Sequence, residues 1–208
     1  MIPVKILAAQ YLPGADEAFC RALGVTEGYR SLGLITTDCD DATYIALDEG
    51  MKAADVQVCY GRSFYAGAGN ASTPYAGEVL GILAGRTPAA VKSGMEAAMA
   101  ALQRIGFEEV GGVPYLAYTV SSCGAFLAKE AGVSQGSSLA YLIAPPLESM
   151  YAMDAALKAA DVVLCKLYTP PSETNFGGGL LTGTRSACAA ACTAFASAVA
   201  QVAEKPRE

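Results

Sequence analysis

The chain has 208 residues, of which 53% are apolar and 16% are charged, and its net charge is −6. This composition is too hydrophobic for a disordered protein, and the length allows one large domain or two of about a hundred residues each. The acidic balance has the wrong sign for a surface that binds nucleic acid or an anionic membrane. We therefore expect a folded protein whose partner is a cationic small molecule or another protein.

Hydrophobic patterning predicts alternating strands and helices in the first half of the chain. Thr87 suits the cap of the second helix, and Pro88 suits its first turn. The predicted strands lie at residues 31–36, 56–60 and 77–84, and the Ala-rich helices lie at residues 44–54 and 88–105.

An internal repeat predicts the same order of elements in the second half. The sequence KAADVQVC at residues 52–59 returns as KAADVVLC at residues 158–165, where six of eight positions agree. Two copies of one unit therefore fill the chain, and each copy is predicted to be a small α/β sandwich. The second copy has predicted strands at residues 139–144, 162–168 and 179–182, and predicted helices at residues 150–160 and 186–203.

Histidine and cysteine usage excludes several kinds of site. The chain has no histidine, so it has no Ser-His-Asp triad, no Cys-His pair and no HExxH zinc site. Its seven cysteines are an odd number without CxxC spacing, which is typical of a reduced, intracellular protein. Cys188 and Cys192 stand four apart and could form half of a metal site, but small buried apolar side chains are the favoured interpretation.

The last predicted helix raises the question of a membrane span. Residues 186–203 contain no charged side chain, and eighteen such residues are long enough to cross a bilayer. Most of them are Ala, Ser, Thr and Cys, with few bulky side chains. We therefore expect a tightly packed, buried helix.

Four acidic residues in the first copy are candidates for binding a cation. Asp38, Asp40 and Asp41 follow the first predicted strand and precede the first predicted helix. Each of them suits a helix cap. Three together, with no Lys or Arg between Asp38 and Lys52, also suit a cation site. Glu78 falls in the predicted strand at residues 77–84 and either faces solvent or points into a polar cavity.

Five stretches of sequence carry a resemblance to a known family. Occurring in the same order over nearly the whole chain, they are similar to the EutL family of tandem-domain bacterial microcompartment shell proteins. The resemblance implies two tandem ferredoxin-like microcompartment domains, and the internal repeat places them at residues 1–110 and 111–208. The stretches are RSLGLITTDCDDATYIALDE (30–49), YGRSFYAGA (60–68), AYLIAPPLE (140–148), DAALKAADV (154–162) and PPSETNF (170–176).

The resemblance also implies an assembly and a location. The subunit would form a homotrimeric, pseudohexagonal tile that packs edge to edge with other shell proteins around the ethanolamine-utilization microcompartment. A gated central pore would lie on the three-fold axis, with gate material from the loops at residues 67–70 and 169–179. A smaller pore at the seam between the two domains of each subunit would bind and pass ethanolamine. No enzymatic activity, catalytic residue, cofactor or metal is implied.

Carried over residue by residue, the resemblance supplies a ligand set for ethanolamine. Ethanolamine has a protonated amine and a hydroxyl, so its site suits carboxylates at one end and neutral hydrogen-bonding groups at the other. The implied ligands are Asp40, Asp41 and Glu78 from the first copy, Phe107 near the boundary, and Thr174, Asn175 and Phe176 from the second copy.

Two other functions stay open at this point. A cytosolic sensor with two ferredoxin-like units could use the same small-molecule site to regulate a partner. Flat hexagonal sheets in the electron microscope would favour the shell protein, and a discrete soluble complex would favour the sensor. An enzyme ranks third, because no nucleophile is paired with a base.

Overall fold

The computed structural model describes residues 1–64, 77–170 and 175–207. The chain divides into a first unit, Pro3–Ile105, and a second unit, Gly106–Glu208 together with Met1–Ile2. The first two residues join the second unit because the Ile2 amide donates to the Phe107 carbonyl at 2.5 Å. The domain boundary between residues 110 and 111 stays a prediction of the sequence.

The first unit is an antiparallel sheet with helices on both faces. Its four strands are hydrogen-bonded in the order β1-β2-β4-β3. Gly33 and Ile35 of β2 face the two long helices, whereas Leu32 on the other side packs in a cluster with Cys20 of the short helix α1. The elements are β1 (Ile6–Leu12), α1 (Glu17–Ala22), β2 (Ser31–Thr37), α2 (Asp40–Ala53), β3 (Val56–Ser63), β4 (Val79–Gly85) and α3 (Pro88–Leu102).

The second unit repeats this plan with one extra strand. Its five strands are hydrogen-bonded in the order β5-β6-β7-β9-β8, and β5 extends the edge beside β6. The core beneath α5 and α6 contains Leu142, Leu181 and Phe195. The elements are β5 (Glu108–Val110), β6 (Val113–Val120), α4 (Ala125–Ala131), β7 (Ser138–Ala144), α5 (Pro146–Ala159), β8 (Val162–Tyr168), β9 (Gly177–Gly183) and α6 (Arg185–Glu204).

The repeat predicted from the sequence is present in the structure. Helix α5 begins 106 residues after α2, at Pro146 and Asp40, and β8 follows β3 at the same spacing. Even the irregularity in strand register recurs, between Val58 and Tyr60 in β3 and between Leu164 and Lys166 in β8. The predicted α/β sandwich is confirmed for both units.

Helix starts follow simple capping chemistry in α3 and α6. The Thr87 side chain accepts from the Ala90 amide at 3.1 Å and Pro88 occupies the first turn, as the sequence predicts. Thr184 caps α6 in the same way through the Ala187 amide, again at 3.1 Å. A threonine cap supplies an acceptor to an amide that has no partner inside the helix.

The sequence patterns miss β1 and α1 in the first unit, and β5, β6 and α4 in the second. Helices α1 and α4 have six and seven residues, so their hydrophobic period is too short to recognise. Strand β1 lies at the edge of its sheet and has no alternation of buried and exposed residues. A strand without this alternation gives no period-2 signal in the sequence.

Helix α6 buries one face in the second unit and leaves the other exposed, so it is less buried than the sequence predicts. Among the described residues, only Arg185–Glu204 is long and apolar enough to cross a membrane by length and composition. One face of the helix packs against α5 and the sheet through Cys188, Cys192 and Phe195. The interpretation of the two cysteines as small buried side chains is therefore confirmed.

Candidate functional site

The acidic cluster of the first unit lies where β2 passes into α2. Strand β2 ends at Thr37, Cys39 occupies the cap position, and Asp40 and Asp41 are the first two residues of the helix. The sequence predicted a helix start at residue 44, with these two residues in the preceding turn, and that boundary is wrong. Acidic residues favour the first helical turn because its free amides and the helix dipole are positive there.

Two threonine hydroxyls hold this turn in place. The Thr37 and Thr43 hydroxyl oxygens lie 2.7 Å apart and are buried. The Thr43 hydroxyl donates to the Cys39 carbonyl at 2.7 Å, and the Cys39 amide donates to the Thr37 hydroxyl oxygen at 3.1 Å. Buried hydrogen bonds of this kind specify one local backbone path, so the position of the two aspartates after the turn is well defined.

The three aspartates differ in their surroundings. Asp40 and Asp41 are each only 8% exposed, and an Asp40 carboxylate oxygen accepts from the Asp41 amide at 2.9 Å. The Asp38 carboxylate instead accepts from the Lys5 amide at 2.7 Å, just before β1 begins. Asp38 therefore helps to attach β1, and Asp40 and Asp41 are the aspartates of the candidate site.

Glu78 lies beside this cluster, one residue before β4 rather than inside a strand as predicted. Its amide donates to the Thr37 carbonyl at 2.8 Å, and its carbonyl accepts from the Phe64 amide at 2.9 Å. Burial raises the pKa of the Glu78 carboxyl, and the carboxylates of Asp40 and Asp38 raise this pKa further. The fold thus brings Glu78 close to Asp40 from a position 38 residues away in the sequence.

Tyr44 and Cys39 also belong to this region, and the sequence analysis missed both. Burial raises the pKa of the Tyr44 hydroxyl, hydrogen bonding to Ser63 lowers it, and the charges of Asp40 and Asp41 raise it again. The pKa of the Cys39 thiol is raised by burial first and by Asp41 next. Once the helix is known to begin at Asp40, the spacing of four residues predicts that Tyr44 lies on the same helix face.

Two aromatic residues predicted for the site lie together in the second unit. The rings of Phe107 and Phe176 meet edge to face, with centroids 5.5 Å apart and planes at 72°. Asn175 is exposed and has a φ of 64°, in the left-handed region. Thr174 lies outside the described residues, as does the predicted gate loop at residues 67–70.

Known proteins resemble this chain over its full length. Residues 31–113 match the family model of the BMC domain. The chain is 53% identical over 210 residues to the bacterial microcompartment shell protein EutL of Clostridium perfringens (strain 13 / Type A), which covers 99% of this chain and 97% of that protein. The chain belongs to the EutL family of bacterial microcompartment shell proteins. EutL of Escherichia coli (strain K12) is 45% identical, with 99% of this chain and 96% of that protein covered.

A solved EutL structure shows the same fold. The crystal structure of the ethanolamine utilization protein EutL from Leptotrichia buccalis C-1013-b matches with a TM-score of 0.95 and 54% identity, covering 100% of this chain and 97% of that one. Membership of the EutL family confirms the tandem microcompartment-domain fold and the assignment to a structural shell protein rather than an enzyme. It also confirms the predicted location in the shell of the ethanolamine-utilization microcompartment.

Proposed function

We propose that this EutL-family chain forms a homotrimeric, pseudohexagonal tile that packs edge to edge with other shell proteins. A gated pore lies at the centre of the tile, and a small pore in each subunit binds and passes ethanolamine. The observation that supports ethanolamine binding is the group of carboxylates at the start of α2 and just before β4. The negative charge of Asp40 raises the pKa of the Glu78 carboxyl, because the two charges repel each other.

An ammonium group is the chemistry that this acidic cluster suits. Glu78 makes no ion pair within the described ranges, and like charges lie next to it. A carboxylate about 4 Å from an ammonium attracts it by about 4 kcal/mol at an effective dielectric of about 20, before desolvation is subtracted. A bound cation would therefore offset the repulsion between Asp40 and Glu78, and desolvation would keep the net affinity modest enough for release.

The remaining proposed ligands suit the other parts of ethanolamine. Thr174 and Asn175 carry neutral groups that can hydrogen-bond to its hydroxyl. Phe107 and Phe176 present aromatic surface to the carbon chain, and a ring face also attracts a nearby ammonium. The full proposed set is Asp40, Asp41, Glu78, Phe107, Thr174, Asn175 and Phe176.

Calorimetric titration with ethanolamine tests the role of the carboxylates. Replacing Asp40→Asn or Glu78→Gln removes a charge and keeps the side-chain shape, and the amide oxygen of the new asparagine can still accept from the Asp41 amide. A hydrogen bond to a charged group contributes about 1.5–3 kcal/mol, so the Kd should rise about 10- to 100-fold. The matched control is Asp154→Asn on the exposed face of α5, which should bind like the wild type.

Two ligand analogues separate the ammonium from the hydroxyl. Ethylamine keeps the charge and should retain part of the affinity, whereas ethylene glycol lacks the charge and should show no measurable binding. Equal binding of the two analogues, or unchanged affinity in both carboxylate variants, would rule out the proposed site. The tile is tested separately by light scattering, where a monomer at micromolar concentration would contradict it.

A further inference from the structure

The first two residues attach to the second unit mainly through their backbone. The Ile2 amide donates to the Phe107 carbonyl at 2.5 Å. The side chains of Met1 and Ile2 bury little surface, since these residues are 55% and 42% exposed. The Met1 amine lies 3.0 Å from the Glu108 carboxylate, but an ion pair this exposed contributes little because solvent screens it. The backbone hydrogen bond is therefore the main polar contact of the segment.

Gly106 gives this segment the space that it needs. A Cβ placed on Gly106 would lie 2.6 Å from the Ile2 carbonyl oxygen and 3.2 Å from the Met1 side chain. A side chain at this position would therefore push the segment away from Phe107. Gly106 is buried, although it lies in the connection between α3 and β5. Glycine suits such a place because it lets two backbones approach closely.

Pro3 prepares Ile2 for this contact. A proline disfavours helical conformations in the residue before it, so Ile2 is restricted to extended backbone. Pro3 itself has no amide hydrogen, so Ile2 is the last residue of the segment whose amide can donate before Val4. The sequence thus favours a short extended segment whose Ile2 amide is free to donate.

The position of the Phe107 ring depends on this attachment. Strand β5 begins one residue later, at Glu108, whose pairing with Tyr115 is at the end of the ladder. The Phe107 ring meets the ring of Phe176, which lies directly before β9, and two strands separate β5 from β9 in the sheet. Strand pairing therefore does not set this contact, and the backbone at residues 106–107 must be fixed in another way.

We propose that Ile2 is a positioning residue of the ethanolamine site. Its amide, received by the Phe107 carbonyl, and its carbonyl, which lies against Gly106, hold the Phe107 ring edge to face against Phe176. The inference rests on the proposed function, in which both rings contact the carbon chain of ethanolamine. Edge-to-face pairs depend on ring orientation, so loss of the Ile2 contact loosens the aromatic part of the site.

Two substitutions at residue 2 separate the backbone amide from the side chain. Ile2→Pro removes the amide donor, whereas Ile2→Ala keeps it and serves as the matched control. In calorimetric titration with ethanolamine, the Kd of Ile2→Pro should rise about 3- to 10-fold, as expected for the loss of one hydrogen bond. Ile2→Ala should bind like the wild type. Unchanged affinity in Ile2→Pro, or an equal loss in Ile2→Ala, would overturn the proposed role.

Fluorine NMR of protein labelled with fluorophenylalanine reads the ring positions without any ligand. The signals of Phe107 and Phe176 are assigned from their loss in Phe107→Leu and Phe176→Leu. Both signals should shift in Ile2→Pro and return to their wild-type positions in Ile2→Ala. A merely structural role of Ile2 would leave both signals in place, and circular dichroism checks that each variant is folded.

A double variant tests whether Ile2 and Gly106 act through one contact. Gly106→Ala should raise the Kd for ethanolamine, because its methyl group displaces the Ile2 carbonyl. Adding Ile2→Pro to Gly106→Ala should raise the Kd little further, since the contact is already lost. Losses that multiply in the double variant would show two independent effects and would contradict the shared contact.

The wild type separates this inference from the proposed function. A wild type that binds ethanolamine, together with an Ile2→Pro variant that binds equally well, would overturn the positioning role alone. A wild type that binds no ethanolamine would overturn the proposed function, and the fluorine signals would then decide whether Ile2 positions the aromatic pair. An unchanged Phe176 signal in Ile2→Pro would overturn that role as well.

Discussion

The acidic residues at the start of α2 show how position changes the role of one side-chain type. Asp38 accepts a backbone amide at the start of β1, whereas Asp40 lies at the helix start beside Glu78. The pKa of Glu78 is raised by burial and by its acidic neighbours, so the free protein bears a cost for keeping it ionised. A bound ammonium would remove part of that cost.

The stability of the free protein should depend on pH through Glu78. The folded-state pKa of Glu78 lies above its ordinary value of 4.5, so this group favours the folded state when protonated and opposes it when ionised. As the pH rises from about 4.5 through the folded-state pKa, the wild type should lose stability relative to Glu78→Gln. Urea denaturation at several pH values measures this difference.

Glu109→Gln is the control for that experiment, because Glu109 is an exposed glutamate of β5. Its stability difference from the wild type should stay nearly constant over the same pH range. A constant difference for Glu78→Gln as well would show that Glu78 has the same pKa in the folded and unfolded chains.

At the level of elements, α2 and α3 pack closely because two glycines let their backbones approach. A Cβ placed on Gly50 of α2 would lie 2.6 Å from the Gly94 carbonyl of α3 and 3.2 Å from Ala98. The matching residue in α5 is Ala156, which is fully buried against the second core. The first unit therefore has a glycine where the matching helix of the second unit has an alanine, and α2, which carries the acidic cluster, meets α3 backbone to backbone at that point.

Replacing Gly50→Ala should destabilise the protein by about 1–3 kcal/mol, since a buried methyl group would meet a backbone oxygen that cannot move alone. Gly14→Ala is the matched control, because a Cβ there has open space around it. The control should be neutral or more stable by up to about 1 kcal/mol, through the lower entropy of the unfolded chain. Chemical denaturation measures both values, and equal stability of the two variants would contradict close helix packing.

At the level of the whole molecule, duplication followed by divergence accounts for the distribution of apolar surface. The two units share their topology, yet Tyr151 is exposed where Ile45 is buried, and Leu12 is exposed where Val120 is buried. Large exposed apolar groups clustered on one side of a domain usually mark an interaction surface. The divergence of these positions suits a chain that assembles with copies of itself.

The proposed tile makes a prediction about larger assemblies. Concentrated wild-type protein should form flat hexagonal sheets in the electron microscope, because a pseudohexagonal tile can pack edge to edge in two dimensions. Thr193→Asp, on the exposed polar face of α6, should form the same sheets. A discrete soluble complex without sheets would instead favour a small-molecule sensor.

The sequence patterns predicted the parts of the fold that depend on local chemistry. Apolar patterning located the four long helices and the strands β2, β3, β4, β7, β8 and β9, and the Thr87-Pro88 pair marked the start of α3. Helix α2 begins four residues earlier than predicted, because its first turn holds two aspartates and a threonine instead of a run of apolar residues. Tyr44 was missed for the same reason, since its spacing from Asp40 has meaning only once the helix start is known.

By itself, the sequence determined that the chain is a tandem repeat, that it belongs to the EutL family and that acidic residues are its candidate cation ligands. These conclusions depend on residue identity and spacing along the chain. Only the tertiary structure decided that Glu78 lies beside Asp40 and that the Asp38 carboxylate accepts from the Lys5 backbone amide. It also decided which apolar side chains of each unit stay exposed. Strand pairing and burial join residues far apart in sequence, and no local pattern specifies such contacts.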